Sequence, residues 1–202
     1  YLWKKGYLKE HGAYWLTWAS LAAGTVYIYW TYPWHTLSFS AAIGLFCLSW
    51  FGYYIVLSLF FRLRIFELLW NKLGRPKTIM FYELMLSLMF MGFTLGFAAL
   101  VESTKGEFFS IHAMLNSPLL IEVVVFSLWF VGYIVKFWAT WLIGMDTFFF
   151  RDQILRTPNE RLVQSKLYHY LAHPMYSVGY LAAYAYPLLQ DSICGLVGGF
   201  CL

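Results

Sequence analysis

From Gly12 to Phe61 the chain runs for fifty residues without an Asp, Glu, Lys or Arg. A helix that crosses a bilayer needs about 20 apolar residues, and a spanning segment must satisfy its own backbone hydrogen bonds. Fifty residues therefore hold two spans and a turn. Pro33, with Tyr32 before it and His35 after it, supplies the break, because proline ends a helix and restricts its predecessor. The pattern predicts spans near 12–31 and 37–61.

Composition carries the same message. Hydrophobic residues make up 61% of the 202 and charged residues 12%, where soluble domains carry about 25% charged residues. The chain is too apolar for disorder. Its net charge of +4 comes from basic residues sitting in gaps between apolar runs, as membrane flanks do. That spacing speaks against a nucleic-acid partner.

A third span is expected near 81–101, from the uncharged run Leu84 to Val101 widened by Phe81 and Tyr82. A fourth is expected near 119–145, interrupted by Glu122 and Lys136. After Lys166 no charged residue occurs before Asp191, which leaves room for a shorter fifth helix at 175–190. The Gly-rich stretch 192–202 reads as the start of a further span, cut off at Leu202. The fold class expected is all-α: residues 1–202 form one polytopic transmembrane helical bundle of about five spans.

Charge placement orients it. Lys4, Lys5 and Lys9, then Arg62, Arg64, Lys72, Arg75 and Lys77, then Arg151, Arg156, Arg161 and Lys166 fall on one side of alternating spans. These are twelve of the fourteen basic residues, and the positive-inside rule puts that side toward the cytoplasm or its equivalent. Lys105 lies in an opposite loop. Trp3, Trp30, Trp34, Trp50, Trp70 and Trp141 fall near span ends, as interfacial belts do. Cys47, Cys194 and Cys201 form neither a CxxC pair nor a metal spacing.

Polar residues concentrate between Asp146 and Tyr180. Thr157-Pro158-Asn159-Glu160 has the form of a capping box with proline at the first helical position. It predicts a short interfacial helix over 158–172, ended by the effect of Pro174 on His173. Val163, Leu167 and Leu171 make its apolar stripe, and Arg161, Ser165 and His169 make a polar line that His173 continues.

His169 and His173 admit three readings. An i,i+4 pair can ligate a metal, but the chain has five histidines, and His35 and His112 fall on the opposite side. No metal site is expected. The rings can instead cap backbone groups freed by Pro174, or form a ligand site at the membrane boundary. Periodicity by itself favours the capping reading. Lys136 is an intramembrane charge and so a functional candidate. It lies about 14 Å from the expected end of its span and about 21 Å from Glu122. Pairing inside the bundle and a place in a headgroup cavity both stay open.

The run His173-Pro174-Met175-Tyr176-Ser177-Val178-Gly179-Tyr180 resembles the membrane-embedded methyltransferases, which include the isoprenylcysteine carboxyl methyltransferases and the phospholipid N-methyltransferases. Their pattern is Gly-x-Tyr, a few residues, Arg-His-Pro-x-Tyr and a glycine shortly after. Tyr168 stands five residues before His173, as in that family. The eight-residue run is especially similar to the two-domain fungal phosphatidylethanolamine methyltransferases, and 145–151 resembles their Phe-rich acidic segment. The resemblance covers about 130–190.

It implies helices whose cytosolic ends enclose S-adenosylmethionine, with a lipid amine entering from the bilayer. By resemblance, His173 would bond the cofactor's carboxylate end, Tyr168 and Tyr176 would line the pocket, and Gly179 would let backbone approach the ligand. The implied activity is N-methylation of phosphatidylethanolamine-type headgroups. Such an in-line displacement depends on positioning and on excluding water.

Three departures stand against the pattern. Ala172 replaces the arginine, a bidentate carboxylate donor that one domain of the fungal enzymes also lacks. The segment Ser165-Lys166-Leu167-Tyr168 has no glycine. The family's C-terminal Glu-Glu has no counterpart up to Leu202, so a whole pocket would need residues past that point. The rival reading is a non-catalytic relative, an accessory or structural subunit of a larger membrane complex. Membrane lipids are the expected partners, joined on the rival reading by other subunits. The expected location is the endoplasmic reticulum or the mitochondrial inner membrane.

Overall fold

The computed structural model describes residues 12–106, 110, 117–143, 167–171 and 173–201. Every regular element among them is helical. In chain order they are α1 (Gly12–Thr31), a 3-10 turn (Trp34–Thr36), α2 (Phe39–Arg62), α3 (Ile65–Leu73), α4 (Arg75–Ser103) and α5 (Pro118–Ile143). Then come α6 (Leu167–Tyr170), a 3-10 turn (Val178–Tyr180), α7 (Leu181–Leu189) and α8 (Ile193–Cys201).

Helices α2, α4 and α5, of 24, 29 and 26 residues, are long and apolar enough to cross a membrane. The chain is an all-helical, polytopic membrane protein. Helix α1 has 20 residues and no charged side chain. The apolar helix over 178–189 is shorter. At about 18 Å it falls well short of the roughly 30 Å hydrocarbon core.

Pro33 does interrupt the first uncharged run. Beyond it Trp34 is buried, and its indole Nε1–H donates to the Tyr29 carbonyl at 2.9 Å. Its ring lies 4.6 Å from that of Tyr32. This tryptophan closes the end of α1.

The basic segment between α2 and α4 holds a helix, α3, that charge counting passed over. Arg64 enters it in a left-handed conformation (φ 52°), and Gly74 leaves it at φ 80°. Arg64 reaches Glu67 at 3.8 Å, and the Arg75 guanidinium sits 5.0 Å above the Trp70 ring. Arg62, Arg64, Lys72, Arg75 and Lys77 are all exposed.

The chain divides into two compact units. One comprises 1–34 with 40–98, the other 35–39 with 99–202. In the first unit, α2 and the part of α4 up to Ala98 form an antiparallel aromatic ladder. Phe46 meets Phe97, Trp50 meets Phe93, Tyr53 meets Phe90 and Phe60 meets Tyr82, with ring centroids 5.3–6.2 Å apart. The helices can approach because Gly96 has no side chain: a Cβ there would stand 2.5 Å from Ser49 Oγ and 3.1 Å from the Leu45 carbonyl oxygen. Glu83, an acid inside α4, is buried in this unit.

In the second unit, α7 and its preceding 3-10 turn pack along α5, and α8 packs on α7. The seam of α5 and α7 is made of small residues, as helix pairs in lipid favour. A Cβ on Gly132 would lie 2.5 Å from the Ala182 backbone nitrogen. One turn along, the position of Gly179 faces the Lys136 Cβ at 3.4 Å. Residue numbers rise on one helix as they fall on the other, so the pair is antiparallel.

Candidate functional site

Pro174 denies α7 a straight start, and the chain answers with a hydrogen-bonded turn. The His173 carbonyl accepts from Tyr176 N–H at 3.1 Å, Ser177 N–H at 2.9 Å and Ser177 Oγ at 2.8 Å. Gly179 N–H donates to the Pro174 carbonyl at 2.9 Å. Pro174 and Met175 are buried beneath, while His173, Tyr176 and Ser177 face outward. The backbone satisfies the groups freed by proline, which leaves the His173 ring clear of that task.

The outward side chains are not scattered. The Tyr176 and Tyr180 rings stack with centroids 5.9 Å apart and planes 26° from parallel. Lys136 Nζ lies 5.4 Å from the centroid of the Tyr180 ring. Tyr168, on α6, is half-buried and feels Tyr176 electrostatically. Burial first, and then the neighbouring Tyr176, raises its phenol above the usual tyrosine value. The turn thus links Tyr176, Tyr180 and Lys136 in succession, with Tyr168 within electrostatic reach of Tyr176.

Gly179 is buried against α5. The side on which a Cβ would stand meets Lys136 and the Pro174 carbonyl oxygen, each at 3.4 Å. His169 is exposed on α6, with its ring edge-on to Tyr170 at 5.1 Å. Among the described residues no three His, Cys, Asp or Glu side chains come together as a metal set. The capping box at 157–160, residues 158–166 and 172 of the expected interfacial helix, and the Phe-rich segment 145–151 all lie outside the described residues.

The donor chemistry suits the implied methyl donor. An imidazole, a hydroxyl and an ammonium are available for its carboxylate, and stacked phenol rings offer a flat face to a sulfonium or an adenine. Reading along the chain identified Lys136 as a candidate but not its neighbour. The lysine and Tyr180 are 44 positions apart, and only the α5–α7 register joins them.

Neither the curated proteins nor the solved structures compared with this chain give a match. Residues 120–202, which include α5 from Leu120 onward and the His-Pro turn, are similar to the family model described as phospholipid methyltransferase.

Proposed function

We propose that the protein transfers methyl groups from S-adenosylmethionine to the amine of phosphatidylethanolamine-type lipids. The observation that carries the reading is coincidence: the stretch similar to phospholipid methyltransferases is the one whose His-Pro turn gathers His173, Tyr176, Tyr180 and Lys136. S-adenosylmethionine, when bound, supplies an electrophilic methyl group. His173 would hold its carboxylate end, Tyr168 and Tyr176 would wall it, and Gly179 would let backbone approach the ligand. The apolar faces around the turn would keep water from competing with the lipid amine.

The test is methyl transfer by the purified full chain in vesicles containing phosphatidylethanolamine, with labelled donor. Label should enter the lipid, and His173→Ala should reduce donor binding about tenfold or more, the scale of one lost charge-assisted hydrogen bond. Wild-type protein that is folded yet binds no donor at millimolar concentration overturns the reading. The accessory-subunit alternative, which Ala172 in place of the family arginine favours, would then account for the chain.

A further inference from the structure

An ammonium inside a spanning helix is costly and is kept where something compensates it. Lys136 sits on α5 about 10 Å along the axis from Ile143, half-buried. Its Cβ stands 3.4 Å from where a Cβ on Gly179 would be, which puts the root of its side chain at the α5–α7 seam. Its charge rests near the face of Tyr180, and a ring face compensates an ammonium only in part. Among the described residues no carboxylate oxygen comes within 4.0 Å of Nζ, and Glu122 lies about 21 Å away along the same helix. Tyr180 stacks on Tyr176, which is 63% exposed, so the ring beside the cation leads to the outer surface of the His-Pro turn.

We infer that Lys136 is the anion-binding residue of this site, its ammonium receiving an oxyanion of a reactant: the phosphodiester of a lipid headgroup or the carboxylate of the methyl donor. The identity of those reactants rests on the function proposed above. The charge logic is specific. A cation repels the lipid amine and attracts the phosphate next to it, so a zwitterionic headgroup anchored here presents its amine away from Lys136. Ordering of that kind is what an in-line transfer requires.

The test uses the full chain in a non-ionic detergent, with binding measured by calorimetry. Two pairs of probes separate the sources: S-adenosylmethionine against its decarboxylated form, and short-chain phosphatidylethanolamine against the diacylglycerol of equal chain length. Lys136→Met should weaken binding of one anionic probe about tenfold or more and leave its anion-free counterpart unchanged. Lys136→Arg should retain binding to within about threefold, as a kept charge should, and Lys105→Met should behave as wild type. The probe pair that responds names the source.

Anionic probes bound equally well by folded Lys136→Met and wild type overturn the inference. Should Lys136→Met fail to fold, wild-type protein that does not distinguish either anionic probe from its counterpart overturns it as well. Lys136-dependent binding of the phospholipid without any donor binding removes the methyltransferase reading and keeps the anion site. Normal methyl transfer by Lys136→Met does the reverse.

Discussion

The two ends of α7 treat polar groups in opposite ways. Past its C-terminal end, Thr104 Oγ1 and Ser192 Oγ meet at 2.7 Å, with 1% and 0% exposure. Thr104 also donates to the Leu100 carbonyl at 2.7 Å, and Ser192 accepts from Gly195 N–H at 2.9 Å. Tyr186 donates to Glu102, and Gly106 N–H to the Asp191 carbonyl at 3.1 Å. At the N-terminal end the backbone is satisfied as fully, but His173, Tyr176 and Ser177 point outward. One end uses its polar side chains to hold the chain together; at the other Ser177 closes the turn through the His173 carbonyl, and His173 and Tyr176 present their rings outward. Buried polar pairing and outward-facing polar rings are thus separated along a single short helix.

If that contrast is right, substitutions at the closed end should cost stability and those at the open end should not. The largest loss is expected from Gly195→Val. A Cβ there would lie 2.6 Å from Val101 Cγ2, 2.9 Å from Ser192 Oγ and 3.0 Å from Pro187 Cβ. Overpacking of this kind costs about 1–3 kcal/mol, and three neighbours at once put this site at the upper end, readable as a lower unfolding midpoint in detergent. Thr104→Val comes next. It leaves the buried Ser192 hydroxyl without its side-chain partner, at roughly 1–2 kcal/mol. His173→Ala should change the midpoint by no more than about 0.5 kcal/mol, the usual range for exposed positions. A midpoint lowered as far as by Thr104→Val would erase the contrast between the ends.

How much of this was legible from the residues differs by feature. The uncharged run from Gly12 coincides with helices α1 and α2, because hydropathy is a property of local composition. Of the two, α2 is among the three described helices long and apolar enough to cross a membrane. Helix α4 extends beyond the apolar run at both ends, to Arg75 and Ser103. Backbone hydrogen bonds carry a helix through Lys77, Glu83 and Glu102, whereas hydropathy marks only its apolar part. Helix α3 was hidden for the related reason that a basic loop and a short surface helix share a composition. Within the candidate site, His173 and Tyr176 were legible as a motif, and Lys136 as an oddity. The closed end was not, since Thr104 and Ser192 lie 88 positions apart and neither is unusual where it stands. Pairings of that kind depend on helix register, which no single segment encodes.

The smallest effect expected sharpens the open end alone. Tyr168 has its phenol raised, by burial first and by Tyr176 second. The folded state therefore keeps the proton at pH values where the unfolded chain, titrating near 10, has begun to lose it. Between those two values the folded state binds more protons, so stability falls as pH rises. The contribution is intact below about pH 10 and erodes above it. Tyr168→Phe has no proton to lose, so the difference in unfolding midpoint between wild type and Tyr168→Phe should be flat from neutral pH to about 9 and then move against wild type. Because Tyr176 supplies part of the shift, Tyr176→Phe should reduce the alkaline drift without abolishing it, since burial is the larger cause. A difference that stays flat through pH 11 would mean that Tyr168 titrates as a free phenol, and α6 would then have no electrostatic link to the His-Pro turn.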